Sequence, residues 1–123
     1  MEGKQTKTFA EILARYKRGE RDFTDLELEN DPDADLSGVC PDGADLSRSY
    51  IVASFHSASL RGIRFVGANV KTCDFRCADL RDADFSGAAL CATRFTGARM
   101  EGARFTGAYY HNRELRDGEQ PDW

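Results

Sequence analysis

The feature that most constrains this chain is a period of five residues running from 58 to 112. Every fifth residue is large and apolar: Leu60, Phe65, Val70, Phe75, Leu80, Phe85, Leu90, Phe95, Met100, Phe105 and Tyr110. Two residues before each sits a small or apolar one: Ala58, Ile63, Ala68, Cys73, Ala78, Ala83, Ala88, Thr93, Ala98, Ala103 and Ala108. A helix would return its apolar residues at three, four and seven. Residues two apart share one face of an extended strand. The three steps from a large residue to the next small one would turn the side chain outward in a straight strand. Both positions stay apolar, so the chain must bend once per repeat. Short strands with such bends wind into a coil with an apolar axis, each unit buried against its neighbours.

The large positions also set the number of sides. Phe occupies 65, 75, 85, 95 and 105, every second repeat. A square coil returns after twenty residues and stacks Phe65 on Phe85 on Phe105. A triangular coil returns after fifteen and stacks Phe on Leu or Val. Like-on-like aromatic stacking packs better, so four sides are expected.

The motif Ala-(Asp/Asn)-(Leu/Phe)-X-X, as in ADLRD at 78–82 and ADFSG at 83–87, resembles the pentapeptide-repeat family. The resemblance implies an all-β solenoid, a right-handed quadrilateral β-helix with four repeats per coil. For this chain that means about five coils. Two roles are open to such a chain. A stiff coil presenting flat faces and entry loops reads as a non-catalytic protein–protein interaction, scaffold or regulatory module. The resemblance implies the other, a DNA mimic that binds a type II topoisomerase such as DNA gyrase and modulates or protects it.

Residues 1–20 read as a polar start followed by a helix. Thr8 and Glu11 form a capping box. Phe9, Ile12, Leu13 and Tyr16 make one apolar stripe, and Gly19 ends the element. The helix is expected over about 9–18, as a cap on an end that would otherwise expose an apolar axis and strand edges. Residues 21–57 are irregular first coils. Phe23 and Leu28 keep the period. NDPDADL then inserts three residues too many before Leu36, and Phe55 follows Ile51 after four instead of five. Loops are expected at 29–34 and 40–43. Residues 58–112 are the regular coils and 113–123 a tail, all in one structural domain.

Charge is unevenly spread. Residues 1–57 carry a net charge of −5, residues 58–112 a net of +3 and residues 113–123 a net of −2. Asp31, Asp33 and Asp35 are the core of the acidic first section and the surface a topoisomerase would meet in the mimic reading. Their spacing is superficially that of a calcium loop. Leu36 and Asp42 stand where an EF-hand needs Gly and Glu, so no metal site is expected. In the regular coils, positions twenty apart alternate in sign: Arg64, Asp84, Arg104; Asp74, Arg94, Glu114; Asp79, Arg99. These predict ion-pair ladders between coils. The remaining file, Asn69, Ala89, Tyr109, is uncharged, with Lys71, Cys91 and His111 beside it. This is the expected partner surface.

Cys73 holds a small inward position, and Cys77 and Cys91 point outward. With the polar start MEGKQTKT, free thiols and a cytoplasmic location are expected. No apolar run nears the eighteen or so residues of a membrane span. His56 and His111 are isolated, no nucleophile–base spacing or zinc motif occurs, and the glycines follow the structural repeat. No enzyme, catalytic residue or cofactor is expected, and direct nucleic-acid binding is disfavoured by the net charge of −4. At the far end Tyr110, Leu115 and Trp123 are expected to cover the last coil or to form an end-to-end dimer edge with a second copy.

Overall fold

A computed structural model of the chain describes residues 8–28, 38, 42–110, 113–116 and 121. Asp31, Asp33, Asp35, Cys40, His111 and Trp123 lie outside them. The period of five becomes backbone geometry through one repeated device. In each repeat the large central residue accepts a hydrogen bond from the amide three positions on, as in Ala68 N to Phe65 O at 3.0 Å and Ala88 N to Phe85 O at 3.0 Å. The last residue of the repeat takes positive φ, for example +70° at Gly87, +60° at Cys77 and +62° at Ala92. That is a tight turn whose third residue is left-handed. The bend that the sequence required is made there, every five residues.

Between turns the extended segments are so short that only isolated parallel bridges form. They join Arg64 to Asp84, Asn69 to Ala89, Asp74 to Arg94 and Asp79 to Arg99, each pair twenty residues apart. The chain therefore lies back beside itself after four repeats. Each rung is hydrogen-bonded to the next in both directions, as Phe65 N donates to Asp84 O at 2.7 Å and Asp84 N to Ile63 O at 2.9 Å. The irregular first section obeys the same logic with its length errors preserved. Strand β1 (Glu27–Leu28) pairs in parallel with β2 (Tyr50–Ile51) at an offset of twenty-three. The next rung returns after nineteen, Tyr50 to Asn69, and from Ser54 to Asp74 onward the return is twenty. These offsets match the three extra residues and the single missing one in the sequence.

The axis is a double column of phenylalanine. Phe55, Phe75 and Phe95 stack at 5.0 and 5.4 Å, and Phe65, Phe85 and Phe105 at 5.1 Å each. The two columns meet edge to face, Phe75 against Phe85 at 5.5 Å and 83°. Both arrangements suit the ring quadrupole. Ala58, Ala78 and Ala88 fill the corners and are fully buried. Helix α1 (Phe9–Lys17) is started by the expected capping box, Thr8 Oγ1 accepting from Glu11 N and Glu11 Oε1 from Thr8 N. Its Phe9 meets Phe55 edge-on at 5.9 Å, and Phe9 and Ile12 join the buried core. Tyr16 Oη donates to the Asp42 carbonyl, tying the helix to the second rung.

At the other end the chain does not continue the coil. Strand β3 (Tyr109–Tyr110) turns back antiparallel onto β4 (Arg113–Glu114), pairing Tyr109 with Glu114. Leu115 N donates to Ala108 O at 2.7 Å and Gly107 N to Leu115 O at 2.8 Å. The expected file Asp74–Arg94–Glu114 is therefore corrected: Glu114 lies beside Tyr109 and Gly107, not beyond Arg94.

Candidate protein-interaction surface

One side of the coil differs from the other three. Its outward file runs Glu27, Tyr50, Asn69, Ala89, Tyr109, each bridged to the next. Beside it run Val52, Lys71 and Cys91. Among the described residues the exposed large apolar side chains are Tyr50 at 43%, Val52 at 38% and Tyr109 at 54%. All three belong to this side. Asn69 is held flat by its own backbone, its Oδ1 accepting from Lys71 N at 3.2 Å. Ala89 leaves a shallow step between Asn69 and Tyr109.

The predicted residues Asn69, Ala89, Tyr109, Lys71 and Cys91 are thus brought onto one side of the molecule. Tyr50 and Val52 were not foreseen there. Counting back by twenty from Asn69 lands on Ser49, which is buried and donates to Phe23 O instead. The four-residue repeat SYIV shifts the register by one, and that deletion was the signal that places Tyr50 in the file. Of the predicted C-terminal edge, Tyr110 is 6% and Leu115 1% exposed, both packed inside their own chain. Among the described residues of this end, Tyr109 is the apolar ring turned outward.

The other sides are polar, and their charges pair differently from the expected ladders. Of the three expected ladders, only the Arg64 file shows ion pairs between rungs among the described residues, 3.7 Å to Asp45 and 3.9 Å to Asp84. Asp74 and Asp79 are instead gripped within their own repeats. Arg76 donates through Nε and Nη2 to Asp74 at 3.0 and 2.8 Å, and Arg81 likewise to Asp79 at 2.9 and 2.7 Å. These forks are bidentate, the stronger geometry for Arg and carboxylate. The Arg81 guanidinium holds the Asp79 carboxyl down to about 2, and Arg76 lowers Asp74 in the same way. Each of these carboxylates also accepts the amide two residues on, as Asp79 Oδ1 does from Arg81 N, so its first duty is to the turn.

Three carboxylates of the acidic first section are similarly employed. Asp25 is forked by Arg48 at 2.9 Å through both nitrogens, which lowers its pKa. Asp22 accepts from the Thr24 hydroxyl at 2.9 Å, and Asp42 accepts from Ser59 Oγ at 2.8 Å and Arg61 N at 2.9 Å. No cluster of three or more His, Cys, Asp or Glu that could hold a metal occurs among the described residues. Cys73, Cys77 and Cys91 are free thiols. Burial pushes the Cys73 thiol up to about 12, which makes it a packing group rather than a nucleophile.

The family comparison matches this geometry. The family model Pentapeptide repeats fits in 8 copies, over residues 53–90 and 73–109. The structure of alr5209, a pentapeptide repeat protein from Nostoc Pcc 7120, is 31% identical over 95% of this chain and 93% of that chain, with a TM-score of 0.51. The chain is a pentapeptide repeat protein. Members of the family form right-handed quadrilateral β-helices and are generally non-catalytic structural or interaction modules. QnrB1, a plasmid-mediated fluoroquinolone resistance protein, is 27% identical over 76% of this chain, with a TM-score of 0.65. The matched part is 48% of the QnrB1 chain. A search of curated proteins found no match. No helix among the described residues is long and apolar enough to cross a membrane.

Proposed function

We propose that this pentapeptide repeat protein is a non-catalytic, cytoplasmic interaction module: about five coils with α1 covering the N-terminal end, presenting the tyrosine side to a protein partner. The observation that carries this reading is the gathering of Tyr50, Val52 and Tyr109 on one side. Tyrosine is the kind of side chain that protein interfaces favour, apolar in body and polar at the tip. The rigid rungs beneath hold these side chains in place, so little order is lost on binding. The test is affinity capture with the double variant Tyr50→Ser, Tyr109→Ser beside the parent protein. A partner retained by the parent and lost by the variant supports the reading. Equal retention overturns it.

A second reading, binding to a type II topoisomerase, is favoured by the likeness to QnrB1. In this reading Asp31, Asp33 and Asp35 would meet the enzyme. Against it, Asp22, Asp25 and Asp42 of the first section are already forked by arginine or bound into turns, which spoils an imitation of bare phosphates. Purified gyrase decides: inhibition or protection of supercoiling at stoichiometric protein, lost on neutralising those three aspartates, would establish it. Unchanged activity at large excess would remove it.

A further inference from the structure

The forks that close on Asp74 and Asp79 have a consequence for the last rung. Arg94 and Arg99 lie next to those two aspartates in register, but the aspartates are already taken by Arg76 and Arg81. Arg99 exerts only the weakest of the pulls on Asp79. Arg104 lies next to Asp84, which is bound to Ser86 Oγ at 2.6 Å and approached by Arg64 at 3.9 Å. Arg94, Arg99 and Arg104 are exposed and form no hydrogen bond or ion pair through their side chains among the described residues. Five residues apart, they stand on three successive sides of the same rung.

We infer that this belt of Arg94, Arg99 and Arg104 is a binding surface for a flexible acidic polypeptide segment that bends around the last coil. This goes beyond the tyrosine side and does not depend on it. Charge complementarity selects an anion, and the planar guanidinium fork selects carboxylate or phosphate over a diffuse negative field. Shape then selects among anions. The three groups face three directions, so a stiff straight polyanion such as a DNA duplex lying along one side meets one of them. A flexible chain meets all three in succession. The acidity of the first rungs does not cancel the belt. Asp45 and Arg104 are three rungs apart, about 14 Å at the usual strand spacing, beyond the Debye length of about 8 Å at physiological ionic strength.

The experiment uses the full chain, fluorescein-labelled poly-L-glutamate as the probe, and fluorescence anisotropy. The parent protein is expected to bind the peptide with an affinity that falls as salt rises. The triple variant Arg94→Gln, Arg99→Gln, Arg104→Gln should bind about tenfold more weakly, the loss expected for three exposed ion pairs. A control changes Lys17, Arg18 and Arg61 to Gln, altering the net charge equally away from the last rung, and should bind like the parent. An unchanged melting temperature in each variant shows that folding is intact. Equal binding by parent and triple variant overturns the inference, as does equal loss in the control. Tighter binding of a DNA duplex than of the peptide overturns it in favour of a nucleic-acid surface.

Discussion

Phe85 is the residue whose environment the square coil defines most sharply. Its ring is stacked between Phe65 and Phe105, at 5.1 Å each, and meets Phe75 and Phe95 edge-on at 5.5 and 5.8 Å. Phe105, in the same column one rung on, has two of these contacts, with Phe85 and Phe95. Both side chains are buried to within 1%, so Phe→Leu removes similar apolar surface at either site and that loss cancels in the comparison. What remains is the ring geometry. An aromatic pair is worth about 0.5–1.5 kcal/mol beyond its area. Losing four pairs rather than two makes Phe85→Leu the more costly by about 1–3 kcal/mol. The assay is urea unfolding followed by far-UV circular dichroism, with midpoints compared at equal slope. Equal losses for the two variants, or a larger one for Phe105→Leu, would refute the reasoning. A loss that depends on rung rather than on ring contacts would do the same.

Three further outcomes follow from the turns, the thiols and the forks. At the left-handed turn position Ala92, φ +62°, substitution by Gly relieves backbone crowding of about 1–2 kcal/mol against a chain-entropy cost of about 0.5–1 kcal/mol. Ala92→Gly should therefore melt slightly higher than the parent and Gly87→Ala lower; the reverse order would contradict the turn assignment. Native protein should react with Ellman's reagent at exposed Cys77 but not at Cys73. Because Cys73 Sγ–H donates to Ile51 O at 3.2 Å, Cys73→Ala should lose about 1 kcal/mol in urea unfolding, and Cys73→Ser should keep most of it. Asp79 is held down to about 2 from 3.8, so its stabilisation is complete above about pH 4 and is lost as pH falls toward 2. The shift alone is worth about 2 kcal/mol; with Asp79 22% and Arg81 32% exposed, screening leaves about 1 kcal/mol. Asp79→Asn should flatten the acid limb of the stability profile by that amount, and an unchanged limb would remove the fork from the account.

The fold was legible because one spacing carried it. Eleven large residues at fives required a bend per repeat, and the alternation of Phe with Leu, Val and Met required a return after twenty. The phenylalanine columns are that inference made physical. Less could be read where two partners compete for one group. Sequence places Asp79 next to Arg99 across rungs and next to Arg81 two residues along. The turn decides for Arg81, since its amide already binds the same carboxylate. The tyrosine side was half legible. Asn69, Ala89 and Tyr109 follow from the period, whereas Tyr50 is found only once the missing residue in SYIV is charged to its own rung. Leu115 shows a coincidence of spacing. It lies five beyond Tyr110, as a continuing coil requires, yet the chain has reversed, and Leu115 faces Ala108.

The central claim is that the tyrosine side meets a protein partner, separately from any acidic segment on the arginine belt. Site-specific photocrosslinking tests it most directly, with benzoylphenylalanine placed at Tyr109 or at exposed Arg61, which the square coil puts on the opposite side and two rungs away from the belt. In the cells that make the protein, position 109 should yield a discrete adduct on irradiation and position 61 none. Adducts from 61 alone, or of equal yield from both, would contradict the assignment of the partner surface.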